Sequence, residues 1–96
     1  MAGFEEIDKA RKLLGLGKVA SLNEIKASYR KLAHRYHPDL DGGDEDREKT
    51  MAELNWAYEL LEDYCGRYKY SFREEEVARA YPDEAYLEQW RERWSM

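Results

Sequence analysis

The sequence predicts an all-α protein in which two long antiparallel helices form a hairpin, with a short first helix before it and a helical extension after it. Charged residues make up 39% of the 96 residues and aromatic residues 14%, a mixture typical of helices with one apolar stripe and a charged outer face. Only two prolines and six glycines interrupt the chain, which leaves room for long helices. Every apolar run falls short of the roughly 20 residues that span a bilayer, so we expect no membrane partner.

The first predicted helix covers about residues 5–14. Its apolar residues recur at helical spacing and are Ile7, Ala10, Leu13 and Leu14. Gly15 and Gly17 then interrupt the pattern and end the helix. We expect this helix to lie across the hairpin and to close its core.

The second predicted helix begins with a capping box, in which the Ser21 hydroxyl accepts from the Glu24 amide and the Glu24 carboxylate reaches back. Its apolar residues fall within an arc of roughly 100° and are Leu22, Ile25, Tyr29, Leu32, Ala33 and Tyr36. The helix should end near His37, because the residue before Pro38 is disfavoured in the α region.

A solvated loop over residues 37–45 should join the second helix to the third. Asp44 is the expected N-cap of the third helix, which runs to about Cys65 with Gly66 as its C′ residue. The apolar residues of this helix are Met51, Leu54, Tyr58, Leu61 and Cys65. The lone thiol of Cys65 is interpreted as a packing residue. Two amphipathic helices joined by so short a loop form an antiparallel hairpin.

Residues 67–96 differ from the preceding chain, since they are rich in aromatic and acidic side chains. A second capping box at 71–74 predicts a helix to Ala80, and residues 83–94 predict a last one. The last helix carries Tyr86, Trp90 and Trp94 on one face. Two interpretations of this aromatic face are open. We favour the one in which it folds back on the hairpin over the one in which it is exposed and binds another protein.

The residues that carry the most information are His37, Pro38 and Asp39, at the end of a helix whose outer face is basic. The residues of that face are Lys26, Arg30, Lys31, His34 and Arg35. Such a face can meet an acidic surface, and complementary charge mainly speeds association and fixes register. Taken separately, each feature has a simpler interpretation. The three residues would be a plain helix stop and turn, and the basic face would be an ordinary solvated surface.

Together with their flanking segments, these residues resemble the J-domain family over about residues 4–65. The matching segments are 10–16 (ARKLLGL), 25–33 (IKASYRKLA), 36–39 (YHPD) and 53–61 (ELNWAYELL). The chain is similar to the minimal class of that family, with a J-domain at 1–66 and an extension at 67–96. The resemblance implies a co-chaperone that binds a DnaK-type (heat-shock protein 70) chaperone, stimulates its ATP hydrolysis and assists protein folding, with client proteins as possible further partners.

The resemblance also assigns roles to residues. It implies that His37, Pro38 and Asp39 form the loop that signals to the ATPase domain. Asp39 would accept charge-assisted hydrogen bonds from an arginine of that domain. The docking charges implied on the second helix are Lys26, Arg30, Lys31 and Arg35. By the same resemblance the chain binds no ATP, needs no cofactor and is not an enzyme.

Metal sites are not expected. His34, His37 and Asp39 supply too few well-placed ligands for zinc. A calcium loop counted from Asp39 fails, because position six is Asp44 instead of glycine and position twelve is Thr50 instead of glutamate.

Other function classes remain open beside the leading one. A helical scaffold or adaptor with a J-like fold would bind another protein. A helical nucleic-acid-binding module is opposed by the net charge of −5, so we expect no nucleic-acid partner. No nucleophile–base pair is evident for an enzyme. Residues 1–12 lack the apolar stretch of a signal peptide, and the expected compartment is the cytoplasm.

Overall fold

The computed structural model describes residues 3–37 and 45–94. These residues form five helices and no strand, which confirms the predicted all-α class. The helices are α1 (Phe4–Leu13), α2 (Leu22–Arg35), α3 (Glu45–Arg67), α4 (Glu74–Ala80) and α5 (Glu84–Trp94). The predicted N-cap of α3, Asp44, lies outside the described residues.

Helix α1 ends in a glycine-dependent turn. Gly15 has φ +68, in the left-handed region. Its N–H donates to the Lys12 carbonyl at 3.0 Å, and the Leu16 N–H donates to the Arg11 carbonyl at 3.0 Å. These two bonds form a Schellman motif. The Arg11 guanidinium also bonds the Leu16 carbonyl at 2.9 Å and the Asp8 carboxylate at 2.7 Å, so it ties the turn to the helix.

Helix α2 begins at the predicted capping box. The Ser21 hydroxyl accepts from the Glu24 N–H at 3.1 Å, and the Glu24 carboxylate accepts from the Ser21 N–H at 3.0 Å. The backbone bond from Ser21, and then the hydroxyl contact, lower the pKa of Glu24 below its ordinary value of 4.5. The start of α2 is therefore fixed by two reciprocal bonds that the sequence predicted.

The core lies where α1 and α2 pack against α3. Its buried residues are Ala10, Leu14, Ile25, Leu54, Ala57 and Leu61. All but Ala57 belong to the apolar stripes read from the sequence. The prediction that α1 closes this core is confirmed, because Ala10 and Leu14 share the cluster with Ile25 of α2 and Leu61 of α3. Within the described residues the backbone of α1 lies nearer to α3 than to α2. Both α1 and α2 therefore pack against α3.

The end of α3 differs from the prediction. Gly66 was expected just after the helix, but it lies within the last turn, which continues to Arg67. The Tyr68 N–H still donates to the Tyr64 carbonyl at 3.0 Å, and Arg67 pairs with Asp63 at 2.9 Å. These contacts continue the helix past the glycine, because a single glycine costs only about 1 kcal/mol in a helix.

The predicted capping box at 71–74 is wrong. Helix α4 begins at Glu74 with Arg73 as its N-cap residue, and no side chain caps it. The Ser71 hydroxyl instead accepts from the N–H of Arg73 at 3.2 Å. This local serine turn uses the acceptor that the capping box would have needed.

The extension does not fold back on the hairpin, which overturns the interpretation favoured from the sequence. Neither α4 nor α5 packs against α1, α2 or α3 in the described part of the chain. Apart from the half-buried Leu87, all residues from 66 to 94 are exposed. The aromatic rings contact one another instead: Tyr64, Tyr68 and Tyr70 meet edge to face near the end of α3, and Tyr81 stacks on Tyr86.

Candidate functional site

Two tyrosines set the orientation of α2 on α3. The rings of Tyr29 and Tyr58 stack with their centroids 4.3 Å apart, and the Tyr29 hydroxyl donates to the Asn55 side-chain oxygen. A hydrogen bond with the Glu62 carboxylate, and then partial burial, raise the pKa of Tyr58. This contact turns one side of α2 towards α3 and leaves the opposite side to solvent.

The opposite side of α2 is basic. Helix α2 carries four lysine or arginine residues against the single Glu24, a net charge of +3, in a chain whose total is −5. Lys26 is half-buried, and Arg30, Lys31 and Arg35 are exposed. At about 100° per residue these four spread over roughly half of the helix perimeter, from about 100° to 280° away from the buried Ile25. They form a broad basic surface rather than a narrow stripe.

The charges of this surface are not neutralised within residues 3–37 and 45–94. None of the four basic residues of α2 forms an ion pair there. The Arg30 guanidinium makes a long contact of 3.5 Å with the Lys26 carbonyl, and the Arg35 guanidinium lies 5.7 Å from the ring centre of Tyr36. Both contacts leave the positive charge facing solvent.

Of the predicted loop residues, the structure describes His37 alone. It is exposed and lies two residues after the end of α2. Pro38 and Asp39 lie outside the described residues. The predicted loop thus begins at the basic end of α2, next to Arg35.

Arg47 is a residue of this site that the sequence reading missed. Its guanidinium donates to the Arg35 carbonyl at 2.9 Å, so the first turn of α3 is joined to the last turn of α2 across the loop. A cation is unfavourable in the first turn of a helix, where the dipole prefers anions. In the sequence, an arginine among Glu45, Asp46 and Glu48 was the signal that could have indicated a specific hydrogen-bond acceptor for Arg47.

Other chemistry finds little support in the described parts of the chain. No group of three or more residues there could hold a metal ion. No helix among the described residues is long and apolar enough to cross a membrane. Cys65 is half-buried and packs against the core, as predicted.

Comparison with known proteins identifies the family to which this geometry belongs. The family model described as DnaJ domain matches residues 9–71. Among curated proteins, the chain is 52% identical over 58 residues to "Chaperone protein DnaJ" of Chlamydia abortus and 48% identical over 58 residues to that of Clostridioides difficile. The same-named protein of Finegoldia magna is 47% identical over 58 residues. No solved structure matches the chain.

The aligned regions cover 60% of this chain but only 15 to 16% of each of these relatives. The likeness is therefore confined to a small part of the longer proteins. What those proteins do as wholes does not transfer with it.

Proposed function

This chain belongs to the DnaJ domain family, and we propose from that premise that it is a co-chaperone that binds a DnaK-type (heat-shock protein 70) chaperone and stimulates its ATP hydrolysis. The observation that carries the proposal is the basic surface of α2, which ends at Arg35, two residues before the exposed His37. In this role the chain assists protein folding by acting on the ATPase of another protein, and it is not itself an enzyme.

Docking follows from the charge of α2. The surface formed by Lys26, Arg30, Lys31 and Arg35 meets an acidic patch of the partner and fixes its register. Because Tyr29 and Tyr58 hold α2 against α3, the basic side chains are presented from a fixed helix. A surface that is already ordered loses less entropy when it binds.

Signalling follows from the loop after α2. His37, Pro38 and Asp39 contact the ATPase domain, and the Asp39 carboxylate accepts hydrogen bonds from an arginine of the partner. The bond from Arg47 to the Arg35 carbonyl supports this step, because it ties the two helices together where the loop leaves them. Arg47 is therefore a positioning residue in the proposal.

The boundaries and setting of this activity are part of the proposal. We assign the J-domain to residues 1–66 and the extension to 67–96, since Cys65 is the last α3 residue that packs against the core. We place the activity in the cytoplasm, because a chain with one cysteine needs no oxidising compartment for an internal disulfide. Client proteins are further possible partners, and neither nucleic acid nor a membrane is needed.

The loop is tested with Asp39→Asn in an assay of ATP hydrolysis by a DnaK-type chaperone. The variant should lose the stimulation and keep the helical circular dichroism spectrum, because the aspartate lies outside the core pattern. Asp41→Asn, the same change two residues along the loop, is the matched control and should stimulate normally. Normal stimulation by Asp39→Asn, or loss of its helical signal, would contradict the role given to Asp39.

The docking surface is tested by charge reversal. Arg30→Glu and Lys31→Glu together should weaken binding to the chaperone, and wild-type binding should weaken as salt is raised, since exposed charges are screened over about 8–10 Å. Arg79→Glu in α4 makes the same kind of change on an exposed arginine outside the surface and should leave binding unchanged. Affinity that is indifferent to salt and to the double reversal would exclude docking by the basic surface.

A helical adaptor is the second candidate. The exposed aromatic residues of α5 favour it, because they offer a surface for another protein that the core does not use. An adaptor that only resembles a J-domain would bind its partner without changing the rate of ATP hydrolysis.

A further inference from the structure

Helix α5 carries an apolar face that no other helix of the described chain covers; only Tyr81, stacked on Tyr86, lies against it. Its apolar residues fall within an arc of about 100° and are Tyr86, Leu87, Trp90 and Trp94. Tyr86 is 51% exposed, Trp90 42% and Trp94 71%. We propose that this face pairs with the same face of a second copy of the chain, with the two α5 helices antiparallel.

The charges beside the apolar face point to a second copy and to its direction. Glu84 and Arg91 are seven residues apart, so they lie on the same flank of the helix, two turns from each other. When a helix pairs with its own copy in antiparallel orientation about a twofold axis, each flank faces the same flank of the partner. In the antiparallel arrangement Glu84 then lies opposite Arg91 of the second copy, and the contact occurs twice. In a parallel pair this flank would instead face the other flank of the second copy, which carries Gln89 and Arg93 and offers Arg91 no acidic partner.

The contact that Arg91 makes within its own helix does not prevent it from pairing with Glu84 of a second copy. Arg91 approaches Glu88 of its own helix at 3.9 Å, and both side chains are 64% exposed. A surface pair of this length contributes little and is easily exchanged. The midpoint between Glu84 and Arg91 falls between Leu87 and Glu88. The two helices therefore overlap over residues 84–91, with Leu87 and Trp90 in the contact, and Trp94 extends past the first residue of α5 in the second copy.

The size of the contact sets its strength. A helix of 11 residues is about 16 Å long, and it buries less than the roughly 800 Å² per partner of a standard interface. The dimer should therefore be weak and reversible, and it should form as the protein is concentrated. The aromatic rings supply most of the buried area, since each buries about 150–250 Å² when fully covered.

The other apolar surface available to α5 is the groove formed by α1, the start of α2 and the end of α3. It has a volume of about 630 Å³ and is lined by Leu16, Val19, Ile25, Leu61 and Tyr68 among others. The acidic residue of this lining, Asp8, already pairs with Arg11 at 2.7 Å and with Lys12 at 3.2 Å, so Arg91 would have to displace both. The pattern of Glu84 and Arg91, by contrast, matches itself when reversed. The self-pairing is therefore the arrangement that the charges favour.

The test measures the association of the full 96-residue chain by sedimentation velocity over a range of concentrations. Glu84→Arg and Arg91→Glu should each weaken the dimer by about tenfold, because each places like charges opposite each other. The double variant restores opposite charges and should dimerise like the wild type. A mixture of the two single variants should form heterodimers, since all the positive charges are then on one copy and all the negative charges on the other.

Two controls separate this pairing from other contacts. Glu92→Arg makes the same charge change on the opposite side of α5 and should leave the dimer intact. Val19→Asp alters the groove at a residue that is 89% exposed and should also leave it intact. Circular dichroism of each variant checks that the hairpin is folded.

A wild-type chain that remains monomeric at every concentration would overturn the proposal. So would a dimer that the two single reversals do not weaken, or that the double variant does not restore. A dimer that dissociates on Val19→Asp would show that α5 binds the groove instead, and this also excludes the antiparallel pair. None of these results depends on ATP hydrolysis by a chaperone, so failure here is distinct from failure of the proposed function.

Discussion

The turn after α1 allows a sharp comparison between two glycines. Gly15 has φ +68, and a methyl group added there meets no atom within 4 Å. The cost of Gly15→Ala is therefore a backbone cost of about 1 kcal/mol, because L-residues are disfavoured in the left-handed region. For a domain of this size, that loss should lower the thermal midpoint by roughly 4–8 °C.

Gly17→Ala is the matched control. A methyl group at Gly17 also meets nothing within 4 Å, but its φ lies outside the left-handed region. The substitution should be neutral or should stabilise by about 0.4–1 kcal/mol, since alanine restricts the unfolded chain. Thermal unfolding followed by circular dichroism compares the two. Equal midpoints for the two variants would refute the role given to Gly15.

The core and the capping box give two further predictions. Leu54→Ala should destabilise the protein by about 2–5 kcal/mol in urea unfolding, because the leucine is 3% exposed, whereas Leu87→Ala on the extension should not change the midpoint of dilute protein. An equal loss of stability in Leu54→Ala and Leu87→Ala would mean that α5 is part of the core. The Ser21 hydrogen bonds lower the pKa of Glu24 in the folded state. The carboxylate therefore stabilises the fold above the unfolded pKa of about 4.5, and this contribution is lost as the pH falls through the lowered folded value. The difference in free energy of unfolding between wild type and Glu24→Gln should therefore shrink as the pH is lowered in urea unfolding. A difference that grows in acid would contradict the capping role.

The sequence predicted the elements whose signals are local. The Ser21 capping box needs four consecutive residues, and the stripe through Ile25 and Tyr29 needs one helix, so both could be read without knowing the fold. The basic surface of α2 followed as the complement of that stripe. Its Arg47 contact was not predicted, because the bond to Arg35 joins two helices across a loop.

The extension shows where local reading fails. At Gly66 the backbone bond of Tyr68 outweighed the usual stop signal, and at Ser71 a shorter turn competed successfully for the hydroxyl. The spacing of Trp90 and Trp94 predicted an apolar face correctly. Spacing within one helix carries no information on what covers that face, so the expected contact with the hairpin was wrong.

The central claim is that the basic surface and the loop beginning at His37 act on the ATPase of a DnaK-type chaperone. Single-turnover ATP hydrolysis by such a chaperone, with and without this protein, tests it most directly. We predict that the wild type accelerates hydrolysis and that His37→Gln does not. His34→Gln, the same change on an exposed histidine within α2, should still accelerate it. A wild-type protein that leaves the rate unchanged, or equal acceleration by His37→Gln, would contradict the claim.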